Sequence, residues 1–317
     1  MVGTFTPSQE LARVIDELEL VRKTIAARKI QGWGAIVLGA TGLIIGSLLN
    51  SAVFAIIGVC MALVGIILLL LLGNTSGSYQ SRYKQEIVSA ALSHIDPSLT
   101  ISPQSGIREA EFEASQLFAT DPDRYSTEDL VRGKAGQTTF YFAEVHAEYK
   151  TETPTKNGTR TEWHDIFKGI IFAADFNKNF NSTTIVRPKD LTSSIGAWFK
   201  KNIYSFDDSN VVELESDYFR KNFITYSNDQ VEARYILTPA LMQRIEELNE
   251  RSAYCISLSF IQSTVYIAFP LVHNYFEPPI FKTLLRENLL ADDLNILSFM
   301  HGIVQELDLN TRIWTKG

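Results

Sequence analysis

The chain has 317 residues, is 45% hydrophobic and 21% charged, and carries a net charge of −7. That balance excludes a disordered or collagen-like chain. Two cysteines are too few for a disulfide scaffold or a cysteine zinc site. Cys60 and Cys255 therefore read as small buried hydrophobes.

The N-terminal stretch 1–29 reads as an amphipathic helix. Thr6 caps it, Pro7 takes its first position, and Glu10 lies in the first turn. Leu11, Val14, Leu18, Val21 and Ile25 are spaced 3, 4, 3, 4, which is a coiled-coil seam. It lasts under three heptads, so a lone amphipathic helix stays equally open.

From Ile30 to Ser81 there is no Lys, Arg, Asp or Glu. Two apolar runs, 33–49 and 53–72, are separated only by Asn50, Ser51 and Ala52. A membrane-spanning helix needs roughly 17–25 residues. The segment 30–73 is therefore expected to be a transmembrane helical hairpin, with 74–81 as a polar linker. The late start of the first run and the second run behind it argue against a cleaved signal peptide. Arg13, Arg22, Lys23, Arg28 and Lys29 precede the spans, Arg82 and Lys84 follow, and the turn has no basic residue. The positive-inside rule then puts both ends in the cytoplasm. Gly42 and Gly46 form a GxxxG pair on a packing face, either against the second span or against another subunit.

Residues 82–317 are expected to form a cytosolic domain. Five of the 29 basic and four of the 36 acidic residues precede Arg82, which leaves 24 and 32 and a net charge of −8. Such a domain is a poor partner for nucleic acid. Helices are predicted at 79–95 and 106–119. The pattern then alternates: Tyr141, Ala143, Val145, Ala147 and Tyr149 fall on one strand face, Glu144, His146, Glu148 and Lys150 on the other. Asn157-Gly158 signals a hairpin turn. With those two residues at its centre, Val145 faces Ile170, Ala143 faces Phe172 and Tyr149 faces Ile166. A second hairpin across Gln262-Ser263 sets Phe260 against Val265 and Leu258 against Ile267. Short strands are predicted at 183–187, 211–215 and 222–226. Helices are predicted at 191–201, at 229–250 with a break at Thr238-Pro239, and at 280–308. The fold class is α+β, mostly antiparallel.

No nucleotide, metalloprotease or hydrolase motif is present. His146 and His164 would lie far apart on opposite faces. Glu144, His146 and Glu148 share a face and offer a carboxylate–imidazole–carboxylate row, a pattern that a solvated strand also produces. A single imidazole there has no orienting partner in that register, so His146→Ala is expected to cost within roughly 0.5 kcal/mol. Asp229 reads as an N-cap with Glu232 as its capping-box partner. No catalytic, cofactor-binding or metal residue is assigned on these grounds.

The strings FAEVHAEYK, FKGIIFAADFNKNF, NDQVEARYILTPALMQRI, VYIAF and YFEPPIF, in this order over about residues 80–310, resemble the bacterial family catalogued as domain of unknown function 3137. The resemblance implies a bacterial integral membrane protein with two spans ahead of the domain. It implies no catalytic residue, substrate or cofactor. The leading expectation is a membrane-anchored interaction or scaffold module, with a protein partner or a homo-oligomer formed through Gly42, Gly46 and the 11–25 seam. An enzyme with an unrecognised site on the 139–175 hairpin, or a membrane-active effector using the transmembrane hairpin, are the alternatives.

Overall fold

A computed structural model describes residues 9–156, 158–176, 178–189, 210–252, 255–271, 274–285, 291–307 and 309. Thr6, Pro7 and the helix expected at 191–201 lie outside the described residues. The chain divides into two compact units: 1–94 with 276–293, and 95–275 with 294–317.

The first unit is built on two long helices, α1 (Gln9–Leu48) and α2 (Ala52–Arg82). Both are long and apolar enough to cross a membrane. They are antiparallel neighbours joined by a turn in which Asn50 takes a positive φ of 46°. The expected boundary at residue 29 is absent, because α1 runs unbroken from the polar stretch into the apolar one. The polar segment 74–81 is not a loose linker either. It continues α2, and Tyr79 within it is buried. A π-helical turn (Tyr83–Val88) and α3 (Ser89–Ile95) extend the path.

One repeat organises this pair. The buried positions of α1 include Leu11, Leu18, Ile25, Gly32, Gly39 and Gly46, each seven residues after the last. In α2 the buried positions are Gly58, Gly65, Leu72 and Tyr79, again at intervals of seven. A seven-residue repeat keeps one seam facing the partner helix. Large residues fill that seam in the polar part and glycines fill it in the apolar part. A Cβ on Gly39 would sit 2.7 Å from Ala62 N and Gly58 O, and one on Gly65 would sit 2.6 Å from Gly32 O. The backbones therefore touch, as small residues permit. The 11–25 seam and the Gly42–Gly46 face are thus occupied inside one chain. A Cβ on Gly46 would meet Ala55 N at 2.7 Å, and one on Gly42 would meet Gly58 Cα at 3.1 Å.

Residues 276–285 lie between the last strand and the last helix in sequence, yet they belong to the helical unit. Glu19 anchors them. The residue is 3% exposed. It accepts from Arg22 Nε and Nη2 at 2.7 and 2.8 Å, from Thr283 Oγ1 at 3.1 Å and from Leu284 N at 2.9 Å. Arg22 Nη1 donates to Ile280 O at 2.6 Å, and Tyr79 Oη donates to Pro279 O at 3.0 Å. Lys84 pairs with Glu277 at 2.8 Å. The Arg22 guanidinium holds the Glu19 carboxyl down to about 2 against the opposing effect of burial, helped by the Leu284 amide.

The second unit is an antiparallel sheet of eight strands in the order β1-β2-β3-β4-β8-β7-β5-β6. They are β1 (Thr100–Ser102), β2 (Arg124–Ala135), β3 (Thr138–Thr155), β4 (Gly158–Asp175), β5 (Thr184–Pro188), β6 (Phe223–Ser227), β7 (Ser257–Ile261) and β8 (Thr264–Pro270). The helices are α4 (Glu109–Ala114), α5 (Asp217–Asn222), α6 (Gln230–Ile236), α7 (Pro239–Arg251) and α8 (Ala291–Glu306). The α+β, antiparallel expectation is met. The strand β2 was not anticipated, the 106–119 helix shrinks to α4, and 211–215 reduces to one bridge, Val211 to Tyr226. Of the helix expected at 280–308, the described residues show Ala291–Glu306, while 276–285 is instead the strap held by Glu19.

Both faces of the sheet are covered. On one, Ala143, Val145, Ala147, Phe167 and Ile171 pack with Ile107, Phe112 and Leu117, while Tyr141 and Tyr149 flank them. On the other, Phe140 stacks on Phe172 at 5.5 Å and Phe269 meets Phe299 edge-on. The break at Thr238-Pro239 is real, since Thr238 caps α7 by accepting from Leu241 N at 3.3 Å. Asp229 caps α6. Glu232 does not return to it as a capping-box partner. It accepts from Asn181 N, Ser182 N and Ser182 Oγ instead. Cys60 and Cys255 are both exposed, against expectation. Cys60 points outward from α2, and Cys255 precedes β7 rather than lying within it.

The second hairpin has the expected register, with Leu258 opposite Ile267 and Phe260 opposite Val265. The first does not. Val145 pairs with Gly169, Ala143 with Ile171 and Tyr149 with His164. Thr155 pairs with Gly158, so Gly158 belongs to the ladder rather than to the expected turn. Asn157 itself lies outside the described residues. Gly158, at φ 129°, closes the turn instead of forming its centre. The turn offset leaves Tyr149 two residues from the expected register, and a bulge between Ala147 and Glu148 takes one of them back, so Val145 and Ala143 are one residue off.

Candidate functional site

That bulge builds the polar cluster of the second unit. In the inner part of the hairpin, Ala147 pairs with Phe167; beyond the bulge, Glu148 pairs with Asp165. An extra residue on β4 turns the following side chain to the other face. Without it Asp165 would oppose Tyr149 and point into the α4 core. With it Asp165 stands beside His146 and Glu148.

The His146 Nε2 to Asp165 Oδ1 distance is 2.6 Å. Donor atoms of His146, Glu148 and Asp165 all lie within 4.8 Å of one another. Glu148 Oε2 accepts from Arg124 Nη1 at 3.0 Å, and the Arg124 guanidinium lies 3.8 Å over the Trp163 ring. The His146 and Asp165 side chains are 35% and 43% exposed. An exposed pair of this kind adds little to stability.

Next to it lies a cleft of about 320 Å³, lined among others by Ser126, Glu128, Glu144, His146 and Lys168. The hydroxyl of Thr127 donates to the Glu144 carbonyl at 2.8 Å and ties the cleft's β2 and β3 walls together. The arrangement offers an imidazole oriented by a carboxylate, which can hold or move a proton, and a set of nitrogen and oxygen donors for a cation.

The row Glu144, His146, Glu148 expected from the sequence is only partly assembled. Glu144 is buried and accepts from Tyr275 N at 2.6 Å, away from the other two. His164 lies on the opposite face from His146, stacked on Tyr149 at 5.1 Å, so the two imidazoles do not converge. Asp165 and Arg124 are the members that sequence reading missed. Asp165 is next to His164 in the chain, and only the bulge separates their faces.

Residues 165–309 match the sequence profile of the family described as "Protein of unknown function (DUF3137)". The match omits the string at 142–150, so it is shorter than the resemblance expected over 80–310. No curated protein matches the chain. The crystal structure of the mycobacterial trehalose monomycolate transport factor A, TtfA, aligns over 72% of this chain and 94% of that one, at 10% identity and a TM-score of 0.35. At that level the likeness carries no argument. The family match stands on sequence alone and covers residues 165–309, a little under half of the chain.

Proposed function

We propose that this protein is anchored in a bacterial inner membrane by α1 and α2, with both ends in the cytoplasm, and that its sheet unit serves there as an interaction module. One observation carries the reading. In the apolar parts of α1 and α2 the glycines face inward and the large side chains face outward. Trp33, Val37, Ile44, Leu70 and Leu71 are 60%, 58%, 59%, 74% and 68% exposed. A soluble protein rarely leaves so continuous an apolar surface in water. Lipid accepts it at no cost, while every backbone group stays bonded within its helix. The basic residues at both outer ends supply the orientation.

A reporter pair fused after Gly317 tests this. A fluorescent protein that matures only in the cytosol is expected to be active, and a periplasm-dependent phosphatase inactive. Phosphatase activity would overturn the orientation, and release of the chain by alkaline carbonate would overturn the anchoring.

A second reading, an enzyme, has the His146–Asp165 pair beside the cleft behind it. The effector reading loses ground, because Gly42 and Gly46 are packed within the chain's own helix pair.

A further inference from the structure

We propose that His146, Glu148 and Asp165 form a binding site for a first-row divalent cation of the Zn2+ class. The proposal does not depend on the membrane reading. It rests on the bulge at Ala147/Glu148, which places Asp165 on the face of His146 rather than in the apolar core. Bulges recur where a strand must re-aim a side chain.

The geometry suits an ion after small rotations. Three donors about 2.1 Å from one ion lie roughly 3.4 Å apart in tetrahedral array. Here the donor atoms lie within 4.8 Å of each other, and His146 Nε2 is 2.6 Å from Asp165 Oδ1. In the metal-free chain a proton joins that last pair, with Nε2–H donating to the carboxylate. On binding, the neutral imidazole shifts its proton from Nε2 to Nδ1 through solvent, and the freed Nε2 lone pair turns to the cation with no net proton released. Glu148 uses Oε2 for Arg124 and keeps Oε1 for the ion. Arg124 in turn is fixed against Trp163. A ligand held by an outer partner in this way is pre-oriented.

The donor set selects the ion class. One imidazole with two carboxylates suits Zn2+, Mn2+ or Fe2+ better than the all-oxygen preference of Ca2+ and Mg2+, and it lacks the thiolate that soft ions favour. Two carboxylates less the Arg124 charge leave about one net negative charge to meet the ion. The partial exposure of His146 and Asp165 leaves the remaining coordination positions to water.

The test uses the full chain in detergent, stripped with a chelator and titrated calorimetrically with ZnCl2. One Zn2+ per chain is expected. Asp165→Asn and His146→Ala are each expected to weaken binding by roughly tenfold or more, the loss that removal of even an outer partner causes. His164→Ala, which removes the imidazole on the opposite face, is expected to bind as the unsubstituted chain does. Should His146→Ala fail to fold, Glu148→Gln takes its place with the same expectation. Absence of stoichiometric binding, unchanged binding by Asp165→Asn, or an equal loss in His164→Ala would overturn the proposal.

Discussion

Glu19 offers a direct measure of how firmly 276–285 is fastened to the helical unit. Its two carboxylate oxygens take four donors: two from Arg22, the Thr283 hydroxyl and the Leu284 amide. Replacing Glu19 by Ala removes all four acceptor contacts and leaves the Arg22 guanidinium, 8% exposed, with only the Ile280 carbonyl of those named here. The carboxyl titrates at about 2 instead of its ordinary 4.5, which corresponds to about 3 kcal/mol. Breaking a buried pair by removing one partner costs roughly 3–5 kcal/mol, so the two routes agree. The Leu284 amide reports the loss locally, because hydrogen exchange reads the free energy of the opening that frees it. Its exchange is expected to accelerate about a hundredfold in Glu19→Ala, at about 1.4 kcal/mol per factor of ten. Unchanged protection of Leu284 would refute the idea that Glu19 holds the segment. The same pair sets a pH dependence. A depressed carboxyl stabilises fully above its unfolded value and loses that contribution as pH falls through its folded one. Protection of Leu284 is therefore expected to hold above about pH 4.5 and decline toward pH 2, an acid loss absent in Glu19→Ala.

Two further substitutions probe the two units separately. Gly39→Leu is expected to force α1 and α2 apart, since its Cβ alone meets Ala62 N and Gly58 O at 2.7 Å, whereas a Cβ on Gly34, the site of the control Gly34→Leu, meets nothing within 4 Å. Thermal unfolding in detergent should show a loss of about 1–3 kcal/mol for the first only; equal behaviour of the two would contradict the packed glycine seam. In the sheet, a Cβ on Gly169 would stand 2.1 Å from Phe269 O, across the β4–β8 ladder. Gly169→Ala is expected to destabilise the sheet by about 2–3 kcal/mol in denaturant unfolding, and an unmoved midpoint would disprove that close approach.

The helical unit was legible in outline and misjudged in continuity. The leucine seam at 11–25 was visible because Leu and Ile are the residues that a heptad search seeks. The same phase continues through Gly32, Gly39 and Gly46, and returns in Gly58, Gly65, Leu72 and Tyr79. On the membrane reading proposed above, burial of large side chains no longer drives helices together in lipid, which accounts for a seam of residues that allow close contact. A search for apolar knobs therefore ends where the chain turns apolar, while the repeat itself goes on. The strap 276–285 was illegible for another reason. Its anchor is a carboxylate more than 250 positions earlier in the chain, and no local pattern announces a contact of that range.

The sheet shows how far alternation carries and where it stops. The Gln262-Ser263 hairpin is short and unbulged, so turn position and face matching agree, and the pairs follow from the sequence. The β3–β4 hairpin also alternates cleanly, and Asn157-Gly158 is a strong turn signal, yet the pairing shifts. Two adjacent buried residues on β4, Ile166 and Phe167, both belong to the α4 core. Strict alternation cannot place both on one face, and the bulge is what reconciles them. Once Ile166 is inserted, every side chain from Asp165 to the turn changes face relative to the unbulged register. The apolar core thereby dictates the polar cluster: burying two neighbouring hydrophobes brings Asp165 to His146. An adjacent apolar pair within an otherwise alternating strand is the signal that would have located the site, and replacing Ile166 by a polar residue would remove the reason for the bulge and, with it, the convergence of His146, Glu148 and Asp165.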